Sequence, residues 1–133
     1  MKRRNTTVIA LLLCVLTLLP LLLLCACAAP ASDPQKAMQA LKDEGYHVKE
    51  KRVSGLVNFG EGLTAAFEAS SPDGNLIYVL YYESADAANR NWESVKLLGE
   101  SYRPQSVSEG DWVVKKNGKT VFFGTKDAAW DAN

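Results

Sequence analysis

The residue whose type and setting best fit a chemical reaction is Cys27, which closes the run Leu24-Cys25-Ala26-Cys27. Enzymes that transfer a diacylglyceryl group to exported chains act on a thiol that has a leucine three positions before it and a small residue directly before it. Leu24 and Ala26 supply both features. Cys25 is a poor acceptor, because the bulky Leu24 would occupy the position that must be small. We therefore predict lipid attachment at Cys27.

The residues before Cys27 have the pattern of an export signal. Lys2, Arg3 and Arg4 precede an apolar run from Val8 to Leu24, the order of a secretory signal peptide. We predict a signal over residues 1–26, a short tether over 27–32 and one domain over 33–133. Two alternatives stay open: plain cleavage at a small residue such as Ala28 or Ala31, and an uncleaved membrane anchor.

The expected domain lacks a clear catalytic signature. All three cysteines, Cys14, Cys25 and Cys27, stand before it, which excludes a disulfide, a thiol nucleophile and a thiolate metal site there. His47 is the single histidine, and its place between a helix and a strand is typical of a surface residue. Gly60-Glu61-Gly62 lacks the lysine and the following helix of a phosphate-binding loop. We predict no cofactor and no metal.

The charge of the exported part argues against nucleic-acid binding. Three of the fifteen basic residues lie in the first four positions, which leaves twelve against fifteen acidic residues. Nucleic-acid binding needs a concentrated basic surface. The one basic cluster, Lys49, Lys51 and Arg52, is interpreted as a solvated strand face, with lipid headgroups near the anchor as the alternative.

The elements that would position these residues follow from capping, periodicity and turn signals. A helix begins at Ser32-Asp33-Pro34 and ends at Gly45. A strand over 46–53 and a loop over 54–62 follow. Strands over 63–70 and 75–83 form a hairpin about Ser71-Pro72-Asp73-Gly74, in which Phe67 faces Tyr78.

The second half of the domain is expected to contain a helix, a hairpin and a short helical turn. Ser84 caps a helix that runs to about Leu98. A second hairpin turns at Asn117-Gly118, and a helical turn follows from Lys126 to Trp130. The expected fold is α+β, with a mostly antiparallel sheet of four or five strands and both longer helices on one face.

One face of the expected sheet is more apolar than a solvated face requires. Ile77, Val79, Tyr81 and Phe122 point to that face, opposite the predicted core side. Exposed aromatic residues bind sugars or partner proteins. We therefore take these four residues as the candidate interaction surface, and we also expect Trp130 to be exposed. The alternative is that these aromatic residues pack against the loop over 54–62 or against the C-terminal turn.

A resemblance covers most of the chain. Beyond the lipid-attachment run, the segment Glu44-Gly45-Tyr46, the passage Tyr81–Ala88 and the hairpin at Asn117-Gly118 resemble small uncharacterised lipoproteins of Gram-positive bacteria. The resemblance implies a lipid anchor and a small α+β domain, and it implies no reaction.

These patterns lead to one functional expectation and two alternatives. We expect a lipoprotein on the outer face of the bacterial cytoplasmic membrane, anchored through Cys27, whose non-catalytic domain binds a protein or cell-envelope partner. The alternatives are an enzyme acting on cell-envelope polymers, which would need a cleft with carboxylates, and an accessory subunit of a membrane complex.

Overall fold

The structure, a computed structural model, describes residues 29–133. Cys27, the predicted lipid-attachment residue, and the predicted signal lie outside the described residues. The longer elements, in chain order, are α1 (Pro34–Asp43), β1 (His47–Glu50), β2 (Leu63–Ser70), β3 (Leu76–Tyr82), α2 (Ala85–Ser101), β4 (Trp112–Asn117), β5 (Thr120–Thr125) and α3 (Lys126–Asp131). Short 3₁₀ turns lie at Val53–Gly55, Val57–Phe59 and Glu109–Asp111. Within residues 29–133, no helix is long and apolar enough to cross a membrane.

The helix starts follow the predicted capping residues. The Asp33 carboxylate accepts a hydrogen bond from the Gln35 N–H at 2.9 Å, and Pro34 occupies the first turn of α1. Ser84 caps α2 by accepting from the Ala87 N–H at 3.1 Å. These bonds satisfy donors that the first turn of a helix leaves without a partner in the helix itself.

The five strands form one antiparallel sheet in the order β1-β2-β3-β5-β4. β3 lies in the centre, and β1 and β4 form the edges. Since β5 is antiparallel to both β3 and β4, these two strands point the same way with β5 between them. α2 therefore makes a crossover connection from the centre of the sheet to one edge.

The turn of the first hairpin is one residue longer than predicted. Phe67 pairs with Val79 rather than with Tyr78, because Asn75 belongs to the turn and donates its N–H to Ser71 Oγ at 3.2 Å. Side chains alternate along a strand, so a slip of one residue moves a side chain to the other face of the sheet. Phe67 consequently packs on the opposite side from the one predicted.

The second hairpin turns one residue later than predicted, but its side chains stay on the predicted faces of the sheet. The two turn residues are Gly118-Lys119, and Val114 pairs with Phe123. Gly118 has a positive φ of 60°, as the first residue of one favoured two-residue turn requires. The pairing shifts by two positions, which leaves every side chain on its predicted face.

The sheet is covered on both sides. Alternate residues of β3, namely Ile77, Val79 and Tyr81, pack in a core with α1 and α3, whereas Leu80 and Tyr82 pack in a second core with α2. The predicted α+β class and antiparallel sheet are confirmed. The two longer helices, however, cover opposite faces, and the helix that shares a face with α1 is α3. A strand buried on both faces reads as a continuous apolar run, which is the pattern of β3.

Residues expected to form a tether belong to the folded body. Pro30 is buried, and Ala29 and Ala31 pack against the core beneath α1 and α3. The Ala31 N–H donates to the Ala132 carbonyl at 2.9 Å. In the described part of the chain, packing therefore begins before Asp33.

Candidate functional site

The four residues predicted as an interaction surface are core residues. Ile77, Val79, Tyr81 and Phe122 are each at most 1% exposed. α1 and α3 cover the face to which they point, so these four residues do not form an exposed surface, and the alternative of packing against the C-terminal turn holds for Tyr81 and Phe122. Trp130 is 53% exposed, as predicted.

Two of the buried tyrosines act as hydrogen-bond donors that fasten loops to the sheet. The Tyr81 hydroxyl donates to the Ala31 carbonyl at 2.8 Å, and the Tyr82 hydroxyl donates to the Phe59 carbonyl at 2.6 Å. Burial raises the pKa of Tyr82 to about 12 and also raises the pKa of Tyr81, to which the Asp33 charge adds. Both hydroxyls therefore keep their protons at neutral pH and serve as donors rather than as bases.

A groove lies between α3 and the edge strand β4. Its volume is about 380 Å³. Alternation along β4 places Val113 and Lys115 on the side of the sheet that carries α3. The groove is lined by Val113, Lys115, Lys126, Asp127, Ala129 and Trp130. The exposed indole beside two lysines and one carboxylate makes this an amphipathic surface with a net positive charge.

Two hydrogen bonds hold α3 in place, one from a residue before α1 and one from a residue after it. The Tyr46 hydroxyl, just after α1, donates to the Asp131 carboxylate at 2.8 Å, and Ala31 bonds to Ala132. Burial raises the pKa of Tyr46, and Asp131 adds to the rise. The short helix thus has a fixed position next to the first described residues.

A second cleft, of about 400 Å³, lies where the end of α2 meets β4. It is lined by Glu100, Arg103, Glu109, Trp112 and Val114. Arg103 donates to the Val107 carbonyl at 2.6 Å and lies 3.7 Å from Glu109, and the Trp112 indole donates to the Gly99 carbonyl at 3.0 Å. Glu100 and Glu109 are both exposed. Carboxylates in such a cleft are what an enzyme acting on envelope polymers would need, so the geometry leaves that alternative open.

An aromatic cluster reaches the surface on the α2 side of the sheet. The Tyr102 ring lies 5.3 Å from Phe123, 5.1 Å from Tyr78 and 6.1 Å from Phe59. Tyr102 is 40% exposed, and Val57, in the same 3₁₀ turn as Phe59, is 78% exposed. We call Val57 and Tyr102 the aromatic-side patch.

Comparison of the chain with protein-family models, with curated proteins and with solved structures gave no match.

The structure also places the remaining candidates from the sequence, which are His47 and the segment Gly60-Glu61-Gly62. His47 is exposed on the edge strand β1, opposite Ser70. The Gly60-Glu61-Gly62 segment is a turn fastened to α2, since the Asn91 amide donates to the Glu61 carbonyl at 2.9 Å. Among residues 29–133, no group of three or more His, Cys, Asp and Glu is arranged to hold a metal ion.

Sequence reasoning missed the groove and the aromatic-side patch for different reasons. The groove combines β4 with α3, and the shared face of Val113 and Lys115 was its only sequence signal. The patch combines a loop residue, Val57, with Tyr102 at the end of α2. Only the tertiary structure brings such distant segments together.

Proposed function

We propose that this chain is exported, lipidated on Cys27 and held at the outer face of the bacterial cytoplasmic membrane. Its domain binds a protein or cell-envelope partner and keeps it near the membrane, without a catalytic step of its own.

The packed start of the domain is the observation that carries this proposal. Pro30 is buried, and Ala31 bonds to Ala132 and to Tyr81. Only three steps of chain, at most about 11 Å, separate Cys27 from the first buried residue. Two acyl chains on Cys27 suffice for durable attachment, and they would hold the domain directly at the bilayer.

The same packing distinguishes processing at Cys27 from cleavage after Ala31. Cleavage after Ala31 would remove Ala29, Pro30 and Ala31, which pack against the core, and with them the bonds to Ala132 and Tyr81. A cleavage that leaves Cys27 as the first residue keeps all of these contacts. This difference supports processing at Cys27 over processing after Ala31.

Fatty-acid labelling of cells that express the full chain tests the proposal. The Cys27→Ala variant should lose the label, because it lacks the acceptor thiol. The matched control Cys25→Ala should keep it, and the mass of its mature N-terminal peptide should show a diacylglyceryl group on Cys27. Label that persists in Cys27→Ala, or a native chain that carries no label, would show that the proposal is wrong.

A further inference from the structure

We infer that the groove between α3 and β4 is the surface that lies against the membrane, with Trp130 in the headgroup region and Lys115 and Lys126 against anionic headgroups. The inference rests on the proposed anchoring at Cys27, and it names the part of the domain that the bilayer contacts.

Chain length places the anchor beside this groove. The Ala31 N–H bonds to the Ala132 carbonyl at 2.9 Å, and Ala132 follows Trp130 by two residues. Four steps of chain join Cys27 to Ala31, a span of at most about 14 Å. A lipid on Cys27 therefore enters the bilayer near the C-terminal end of α3.

The side chains of the groove suit a lipid–water interface. Tryptophan favours the headgroup level of a bilayer, because its ring is apolar and its N–H still finds a polar partner. Lysines keep their charge among headgroups while their aliphatic stems cover apolar surface. Lys115 and Lys126 flank the 53% exposed Trp130, and Asp127 reduces the local charge to one net positive.

The other basic surfaces fit this role less well. Lys51, in the basic cluster at the opposite edge of the sheet, pairs with Glu68 at 3.0 Å. Lys116 points to the α2 side, where it donates to Asn89 and lies 5.6 Å from the centre of the Trp92 ring. Within residues 29–133, the groove alone joins an exposed tryptophan and lysines to the segment that leads to Cys27.

The membrane-anchored full chain allows a direct test with introduced thiols. Processing at Cys27 would remove Cys14 and Cys25 and would block the thiol of Cys27, so an introduced cysteine would be the one reactive thiol. The reporter is Asp127→Cys, at an exposed residue that lines the groove, so that Lys115, Lys126 and Trp130 all stay in place. The matched control is Leu97→Cys, at a residue that is 69% exposed on α2, across the sheet. An impermeant maleimide is applied to wall-stripped cells and, in parallel, to the detergent-solubilised protein.

If the groove is in contact with the bilayer about 90% of the time, Asp127→Cys should react about tenfold more slowly in membranes than in detergent, because only the free fraction reacts. Leu97→Cys should react at the same rate in both. Adding Trp130→Ser to the reporter should return its rate in membranes toward the detergent value.

Equal rates for Asp127→Cys in membranes and detergent, or equal protection at positions 97 and 127, would overturn the inference. The mass of the N-terminal peptide from the same samples separates the two proposals. A lipidated chain with an unprotected thiol at 127 would contradict the membrane-facing groove alone, whereas a chain without lipid would contradict both the anchoring and the groove.

Discussion

At the scale of single residues, the contact between Gly60 and Asn91 shows why a glycine-rich segment need not bind a ligand. Gly60 has a φ of 85° and a ψ of −175°, a conformation open almost only to glycine. A Cβ at this position would lie 1.9 Å from Asn91 Oδ1. The glycine therefore allows the loop to approach α2 closely enough for Asn91 to bond Glu61.

We predict that Gly60→Ala lowers the free energy of unfolding by about 2 to 4 kcal/mol, the sum of backbone strain and a lost hydrogen bond. Urea denaturation of the detergent-solubilised chain measures the loss. Gly45→Ala is the control, since Gly45 also has a positive φ of 88° but no atom within 4 Å of the added Cβ. It should cost only about 1 to 2 kcal/mol.

The double variant Gly60→Ala with Asn91→Ala separates effects that act through Asn91 from strain in the backbone of residue 60. If Gly60→Ala displaces the Asn91 side chain or breaks its bond to Glu61, the double variant should lose less stability than the two single losses together. Additive losses would instead assign the whole effect at Gly60 to its backbone conformation.

At the scale of elements, the segment over 29–32 behaves as a strap rather than as a linker. Its sequence, Ala-Pro-Ala-Ser, shows no periodicity, and isolated from the fold it resembles a tether. In the structure it lies over the core and is fastened by Tyr81 and Ala132. A strap of this kind gives an anchored domain a fixed orientation.

We predict that Tyr81→Phe loosens the strap, since it removes the bond to the Ala31 carbonyl at a cost of about 1 kcal/mol. A protease added to membranes should then cut within 29–32 and release the domain faster than from the native chain. Release is measured as soluble domain against time.

Tyr82→Phe is the matched control for that experiment. It removes a comparable buried bond, to the Phe59 carbonyl on the other face, and should lower stability by a similar amount without faster cutting at 29–32. Equal release from both variants would mean that general destabilisation, not the strap, controls cleavage.

At the scale of the whole molecule, two outer surfaces lie on opposite sides of the sheet. The groove with Trp130 lies on the side of α3, and the aromatic-side patch of Val57 and Tyr102 lies on the side of α2. A flat bilayer can contact only one of them. The patch is then the surface available to a partner when the groove is at the membrane.

We predict that a photoreactive residue at Tyr102 crosslinks in intact cells to a second protein or to wall polymer. The control position is Asp86, exposed in the first turn of the same helix and about 24 Å away along its axis. Gel shifts and mass spectrometry of the adducts measure the outcome. Identical adducts at both positions, or none at Tyr102, would contradict a binding role for the patch.

Local signals account for the part of the fold that sequence analysis recovered. The caps at Asp33 and Ser84, the strand periodicities and the turn residues act over a few positions, so the order and class of elements were predictable. The extents of the turns were harder to predict from the sequence. Asn75, for example, joins the first turn through a hydrogen bond to Ser71 that composition alone does not signal.

The site was less predictable than the fold. The sequence by itself determined an export pattern ending at Cys27, an α+β order of elements and a strand, β3, that is apolar on both faces. Only the tertiary structure decided that Ile77, Val79, Tyr81 and Phe122 are buried. The reason is that α2 connects two strands of like direction, so the path of the crossover, and not the helix's own apolar stripe, selects its face of the sheet. α2 covers one face of the sheet, and α1 and α3 cover the other. The exposed candidate surfaces therefore lie beside the helices: the groove next to α3 and the aromatic-side patch at the end of α2.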